Sequence, residues 1–187
     1  KRLLLLLGIS GMLLIIVGCR GDSLDNTGTE QAINARIYSF KTAVEAYDVE
    51  RMLDFLEKNP TKDPLTIAEG RREYTKDYKT LEDELEQDEP NQIYWRKSLS
   101  EGGWGYSLTM KLGTITYDKL SASGAVARVP FAIIEASERL SFQEETDKGR
   151  MICTMVKRQG IWRCQHMIIH FNPDDSPPSP SLASYQA

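Results

Sequence analysis

The period of the hydrophobic pattern changes about halfway along this chain. In the first half, apolar residues recur at steps of three and four, which places them on one face of an α-helix. In the second half they alternate with polar residues, as in a strand that buries one face. Helices followed by consecutive strands predict an α+β domain in which N-terminal helices pack on a curved antiparallel sheet.

The helical half is predicted to contain three helices. Thr27-Gly28-Thr29-Glu30 fits a capping box ahead of the first helix, and Asp48 is placed to cap the second. A third helical pattern starts near Leu65, and Pro90 is expected to end it. The segment from Pro90 to Gly103 fits no element. The face of the first helix that we expect on the core carries Ile33, Ile37, Phe40, Val44 and Tyr47.

The other half is predicted to form antiparallel strands separated by turns that contain glycine. A turn at Ser121–Gly124 separates the first two strands, and a turn at Thr146–Gly149 precedes the third. Around Arg158-Gln159-Gly160 the last two strands are expected to form a tight hairpin. The predicted strands run through Tyr106–Leu112, Ala127–Ile133, Met151–Lys157 and Ile161–Phe171.

The N-terminal segment has the three parts of a secretory signal. Lys1-Arg2 is followed by an almost unbroken apolar run, Leu3–Val17, and then by the small residue Gly18 before Cys19. The run is shorter than the roughly 20 apolar residues that a helix needs to cross a bilayer. We therefore predict that residues 1–18 are removed and that the rest of the chain is exported. The alternative is an ordinary secretory signal in which Cys19 is incidental.

Ile16-Val17-Gly18-Cys19 resembles the lipobox of bacterial lipoproteins. The resemblance implies cleavage before Cys19, a diacylglyceryl thioether on its sulfur and acylation of the new amino group. Two or three acyl chains anchor a protein stably in a membrane. The resulting expectation is a protein of the cell envelope that the lipid bilayer holds through Cys19. It would have a tether at 19–28, a domain at 29–171 and a disordered tail rich in proline and serine at 172–187.

Removal of the signal makes the chain more acidic. Lys+Arg falls from 23 to 21 with the loss of Lys1 and Arg2, while Asp+Glu stays at 27, so the net charge becomes about −6. An acidic domain lacks the positive surface that attracts nucleic acid, and anionic lipid headgroups would repel it weakly. We therefore expect no nucleic-acid partner.

Two motifs resemble nuclear transport factor 2-like (SnoaL-like) domains: the helix junction Ala46–Leu53 and the terminal hairpin Val156–Arg163, with its Gly-x-Trp. The resemblance extends over about residues 28–171 and implies a cone closed by a strongly bent sheet. In that family the cone is a pocket, which serves as an active site in some members and as an interface in others. Neither the carboxylate, Tyr and acid set of the ketosteroid-isomerase branch nor the Asp-Arg-Asp set of the epoxide-hydrolase branch maps onto this sequence. The residues that the resemblance places as pocket lining are Tyr106, Phe131, Trp162 and His166.

Within this resemblance, Trp162, Cys164 and His166 share the pocket or core face of the last strand. A histidine on such a face is more often a hydrogen-bonded core residue than a catalyst, so we assign no catalytic residue. His166 and His170 lie about 13 Å apart along a strand, too far to share one zinc ion. The sequence also has no CxxC, HExxH or phosphate-loop pattern. We expect no metal and no cofactor.

Cys153 and Cys164 are the cysteines that remain once Cys19 is lipidated. A four-residue loop at Lys157–Gly160 would place them directly opposite each other. A two-residue Gln159-Gly160 turn would leave them diagonal, with Cα atoms about 7–8 Å apart and beyond comfortable disulfide reach. A structural disulfide and two buried thiols both remain open.

Three functional hypotheses follow. The first is a non-enzymatic envelope lipoprotein whose domain binds a protein partner or a small apolar ligand. The second is an enzyme of the same fold that uses pocket acids or His166. The third is a homodimeric assembly module that pairs through the open face of the sheet.

Overall fold

The computed structural model describes residues 26–59, 63–69 and 72–171. The predicted signal 1–18, Cys19 and the predicted tail 172–187 lie outside these described residues. The helices are α1 (Thr27–Ala46), α2 (Val49–Phe55), α3 (Tyr78–Arg96) and a short 3-10 helix (Leu99–Glu101). The strands are β1 (Leu65–Glu69), β2 (Arg72–Lys76), β3 (Tyr106–Leu112), β4 (Thr116–Leu120), β5 (Gly124–Ser137), β6 (Phe142–Arg158) and β7 (Ile161–Phe171).

The first two helices form where the periodicity predicts them. Tyr47 ends α1 in the left-handed conformation, with a φ of 52°, and the Asp48 N–H donates to the Ala43 carbonyl at 2.8 Å. The Asp48 carboxylate then accepts from the Arg51 N–H at 3.1 Å and caps α2. This tight junction folds α2 back onto α1. The side chains that α1 buries are Ile33, Ile37, Phe40 and Ala43.

The predicted capping box at the start of α1 is wrong. Asn26 is the N-cap residue, and Thr27 already lies in the first turn. The Asn26 side chain makes no capping hydrogen bond. Burial of its apolar face therefore stabilises this helix more than capping of its first turn does.

The third predicted helix is wrong over its first half. Residues 65–69 and 72–76 form the antiparallel strands β1 and β2, because β1 also pairs in parallel with β7 and tertiary pairing overrides the local period. Asp77 starts α3, since its carboxylate accepts from the Thr80 N–H at 2.9 Å. The helix also continues through the exposed Pro90 to Arg96, because the contacts of its last turn hold it against α1 and β3.

The strands form one sheet in the order β2-β1-β7-β6-β5-β3, and β4 pairs with β5 beside β3. Three helices on a curved sheet confirm the predicted α+β cone. The sheet is mixed rather than wholly antiparallel, since β1 and β7 run parallel. No helix among the described residues is long and apolar enough to cross a membrane.

Gly149 lies inside β6, not in the turn that the sequence predicts at Thr146–Gly149. The chain turns instead at residues 138–141, and β6 begins at Phe142. A Cβ atom on Gly149 would lie 2.2 Å from the His170 carbonyl oxygen and 2.8 Å from the Phe131 ring. The glycine is therefore required by the close approach of neighbouring strands.

The core lies between the helices and the face of the sheet that they cover. It is one continuous apolar cluster, to which α1, α2, α3 and the central strands contribute. On the sheet side its buried members are Leu65, Met110, Ala125, Ala127, Val129, Phe131, Met151, Cys153, Met155, Trp162, Cys164 and Met167.

Candidate functional site

Two of the predicted pocket residues belong to this core. Phe131 is 5% exposed and Trp162 is 3% exposed, and both are members of the apolar cluster. The Phe131 ring meets the Phe171 ring edge-on, with 5.7 Å between centroids. At this depth the cone is filled by the chain's own side chains.

A β-bulge in β7 decides where His166 lies. Met155 pairs with Cys164, but the preceding Thr154 pairs with His166, which leaves Gln165 as an extra residue. One extra residue shifts the alternation of side chains between the two faces of a strand. The prediction that Cys164 and His166 share a face is therefore wrong.

His166 lies on the face of the sheet opposite to Trp162, beside the start of β1. Its Nδ1 atom is 2.7 Å from the Asp63 carbonyl oxygen, and its Nε2 atom is 3.4 Å from the Thr66 hydroxyl. A carbonyl oxygen only accepts, so Nδ1 carries a proton and donates it to Asp63. These contacts tie β7 to the segment that leads into β1.

The hairpin between β6 and β7 decides between the two arrangements of the cysteines. Arg158 pairs with Ile161 across a two-residue turn, in which Gln159 and Gly160 have φ values of 51° and 84°. Cys153 and Cys164 are therefore not directly opposite, and both are free, buried thiols. Burial, followed by the nearby Cys153, raises the pKa of the Cys164 thiol, which keeps it protonated and unreactive at neutral pH.

His170 makes the stability of the domain depend on pH. Burial, and then repulsion from Arg150, lowers the pKa of His170 below its ordinary value, while Glu73 acts in the opposite direction. The folded state thus binds a proton less readily than the unfolded state does. The contribution of His170 to the free energy of unfolding is complete above the pKa of the histidine in the unfolded state, about 6.5, and it is lost as the pH falls below that value.

Between pH 7.5 and pH 5 the free energy of unfolding should fall less in the His170→Gln variant than in the parent protein. The measurement is urea unfolding of both proteins at each pH. An unchanged pH dependence would contradict the assignment.

A set of residues that combines charge, aromatic rings and partial exposure lies at the C-terminal ends of α1 and α3. We call it the Arg96 site; its members are Tyr47, Asp88, Arg96, Tyr106 and Glu135. Tyr47 comes from the junction after α1, Asp88 and Arg96 from α3, Tyr106 from the first residue of β3 and Glu135 from β5.

The Arg96 guanidinium lies between two tyrosine rings. Its Cζ atom is 5.4 Å from the centroid of the Tyr47 ring and 5.3 Å from that of Tyr106. Nη1 donates to the Gln92 side-chain oxygen, and Nη2 donates to the Glu45 carbonyl at 3.5 Å. Nε is buried and has no acceptor among the described residues.

Each tyrosine hydroxyl is held by a carboxylate. Tyr47 donates to Asp88 at 3.1 Å, and Tyr106 donates to Glu135 at 2.5 Å. Burial, and then Asp88, raise the pKa of Tyr47 to about 12, while burial and Glu135 also raise the pKa of Tyr106. The hydrogen bond from Gln92, followed by the one from Tyr47, lowers the pKa of Asp88. At neutral pH both hydroxyls therefore stay protonated and Asp88 stays ionised.

The sequence predicts only Tyr106 of this site as a pocket residue. Arg96 lies in the segment that fits no element, beyond the proline at which α3 was expected to end. Tyr47 was placed on the core face of α1, where it is only partly buried. A prediction that continued α3 past Pro90 would have placed Arg96 on that helix.

An acidic groove of about 490 Å³ lies between α2 and α3. Part of its charge is compensated: Asp54 pairs with Arg36 at 3.0 Å, and Lys58 lies 3.9 Å from Glu82. Among the described residues, no group of three or more His, Cys, Asp or Glu could hold a metal ion. The lining residues are Val49, Glu50, Leu53, Asp54, Tyr78, Glu82, Glu86 and Glu89.

The fold is shared with solved structures of the NTF2-like class. A protein of Novosphingobium aromaticivorans that is provisionally named a scytalone dehydratase superposes with a TM-score of 0.58 at 14% identity, over 79% of this chain and 86% of its own. The β subunit of benzoate 1,2-dioxygenase from Burkholderia mallei gives 0.58 at 8% identity, over 76% and 89%. A hexachlorocyclohexane dehydrochlorinase gives 0.53 at 13% identity, over 80% and 88%.

At such low identity these superpositions establish the fold and not the activity. No protein-family model matches the chain, and no curated protein sequence does. The chain therefore has an NTF2-like α+β cone, a fold that serves both enzymes and a subunit of a larger oxygenase among its structural neighbours.

Proposed function

We propose that this chain is a lipid-anchored protein of the cell envelope whose NTF2-like domain binds a small molecule at the Arg96 site without transforming it. The pattern from Lys1 to Cys19 supports the anchor. The observation that carries the binding function is a guanidinium that lies between two tyrosine rings and makes no carboxylate contact among the described residues. Each terminal nitrogen of Arg96 has two N–H groups and one acceptor among the described residues, so the guanidinium can still donate to an external acceptor.

The titration behaviour of the site favours binding over catalysis. A general acid or base works best when its pKa lies near the working pH. The pKa values of Tyr47 and Tyr106 move upward, and that of Asp88 moves downward, so all three move away from neutrality. The same groups are well suited to hold Arg96 in a fixed place.

We expect the full-length protein, extracted from membranes in mild non-ionic detergent, to carry a small molecule. Native mass spectrometry should show an added mass that denaturation removes. Arg96→Gln should lower the occupied fraction about tenfold, since it removes a charged donor. Arg36→Gln is the matched control, because Arg36 is already paired with Asp54, and it should retain the ligand.

A bare mass for the parent protein would contradict the proposal. If that bare protein were a dimer at micromolar concentration, the homodimeric assembly module would replace it. A bound protein that survives extraction would instead favour a protein partner.

A further inference from the structure

Arg96 differs from Arg36, the other partly buried arginine of the helical layer, in what balances its charge. Arg36 and Arg96 each have a buried Nε without an acceptor among the described residues. Arg36 contacts the Asp54 carboxylate at 3.0 Å, whereas Arg96 has no carboxylate oxygen within 4 Å in the described part of the chain. Arg96 is therefore the one of the two that lacks a direct counter-ion.

The surroundings of Arg96 make this arrangement costly. Burial lowers the pKa of the Arg96 guanidinium, so the charge is partly desolvated. Its two hydrogen bonds to described residues go to neutral oxygens, those of the Gln92 side chain and the Glu45 backbone. A partly desolvated guanidinium is ordinarily paired with an anion, because neutral acceptors only partly replace its hydration.

The neighbouring carboxylates make no direct contact with Arg96, because each is engaged by a tyrosine; Asp88 acts on it only through space, where its charge partly offsets the lowering of the Arg96 pKa by burial. Asp88 accepts from Tyr47 and from Gln92, at 3.1 Å and 2.9 Å, and Glu135 accepts from Tyr106. They also limit the charge of any ligand, since both repel anions.

We infer that the ligand of the Arg96 site carries a single carboxylate group, which the two terminal nitrogens of Arg96 bind between the rings of Tyr47 and Tyr106. This inference rests on the proposed function and adds the chemical class of the ligand. A planar carboxylate matches the planar fork of the guanidinium. The tyrosine rings bound the position on two sides.

The test uses phenylacetate, its neutral amide phenylacetamide and inorganic phosphate as probes. The full-length protein, labelled with ¹⁵N-arginine, is titrated with each probe at pH 7 in detergent micelles, and the Nε–H signals of the arginines are followed by NMR. Phenylacetate should move the Arg96 signal saturably and leave that of Arg36 unchanged. Phenylacetamide and phosphate should bind at least about tenfold more weakly.

Two variants separate recognition from structural support. Arg96→Lys keeps the charge but loses the fork, and it should weaken phenylacetate about tenfold with little change in the circular dichroism spectrum. Asp88→Asn removes a repelling charge, so it should tighten phenylacetate about fivefold and leave phenylacetamide unchanged. A purely structural role for Arg96 predicts neither the gain nor its dependence on probe charge.

Equal binding of phenylacetate and phenylacetamide at Arg96 would overturn the inference and leave the proposed small-molecule function standing. Tighter binding of phosphate would also overturn it. Failure of all three probes to move the Arg96 signal would overturn it too; the native mass of the extracted protein then decides separately whether the proposed function fails.

Discussion

Alanine at position 149 is expected to destabilise the domain by about 3 kcal/mol or more. The added Cβ would lie 2.2 Å from the backbone oxygen of His170 and 2.8 Å from the Phe131 ring. Neither neighbour can yield easily, because the first belongs to the paired strand β7 and the second is buried in the core. The measurement is urea unfolding of Gly149→Ala followed by tryptophan fluorescence.

Gly28→Ala is the matched control for this substitution. A Cβ on Gly28 meets nothing within 4 Å, and the residue lies in the first turn of α1. Alanine also has the higher helix propensity, so this variant should be neutral or more stable by up to about 1 kcal/mol. If Gly149→Ala unfolded at the same urea concentration as the parent, the close approach of β6 and β7 would be refuted.

Loss of the membrane anchor is the other large expected effect. Cys19→Ala should move the exported protein from the membrane fraction to the soluble fraction almost completely. The reason is that two or three acyl chains hold a protein stably, whereas an acidic domain has no electrostatic attraction to anionic lipids. Fractionation of cells and intact-mass measurement of the extracted protein provide the test.

Cys153→Ala controls for the removal of a cysteine as such. Cys153 is buried in the core of the domain, so its loss should leave the protein in the membrane fraction. Two results would refute the anchor: a Cys19→Ala protein that stays with the membrane, or a parent protein whose mass shows no lipid on that cysteine.

Structural elements that depend on residues close together in the chain could be predicted from the sequence. The apolar stripe of α1, the cap at Asp48 and the last hairpin each depend on residues within a few positions of one another, although the length of the turn in that hairpin stayed open. The β1–β2 pair could not be predicted this way. Its first strand pairs with β7, about a hundred residues away, and its apolar residues fit a helical period equally well.

The candidate site was predictable only in part, for the same reason. Tyr106 follows from the alternation of β3, and its neighbour Arg96 depends on a helix that continues beyond Pro90. Contacts between α3, α1 and β3 stabilise that last turn, and no local pattern encodes them. The face occupied by His166 depends likewise on a bulge, for which a single strand carries no clear signal.

The extra residue in β7 determines which face of the sheet each later side chain of the strand occupies. Every side chain from His166 to Phe171 occupies its present face only because Gln165 precedes it. Deletion of that one residue would exchange the two faces downstream, turning Met167 outward and His170 inward. Relatives of this chain that lack the insertion are therefore expected to carry the opposite order of apolar and polar residues after it, and an alignment that ignores the shift would pair inward positions with outward ones.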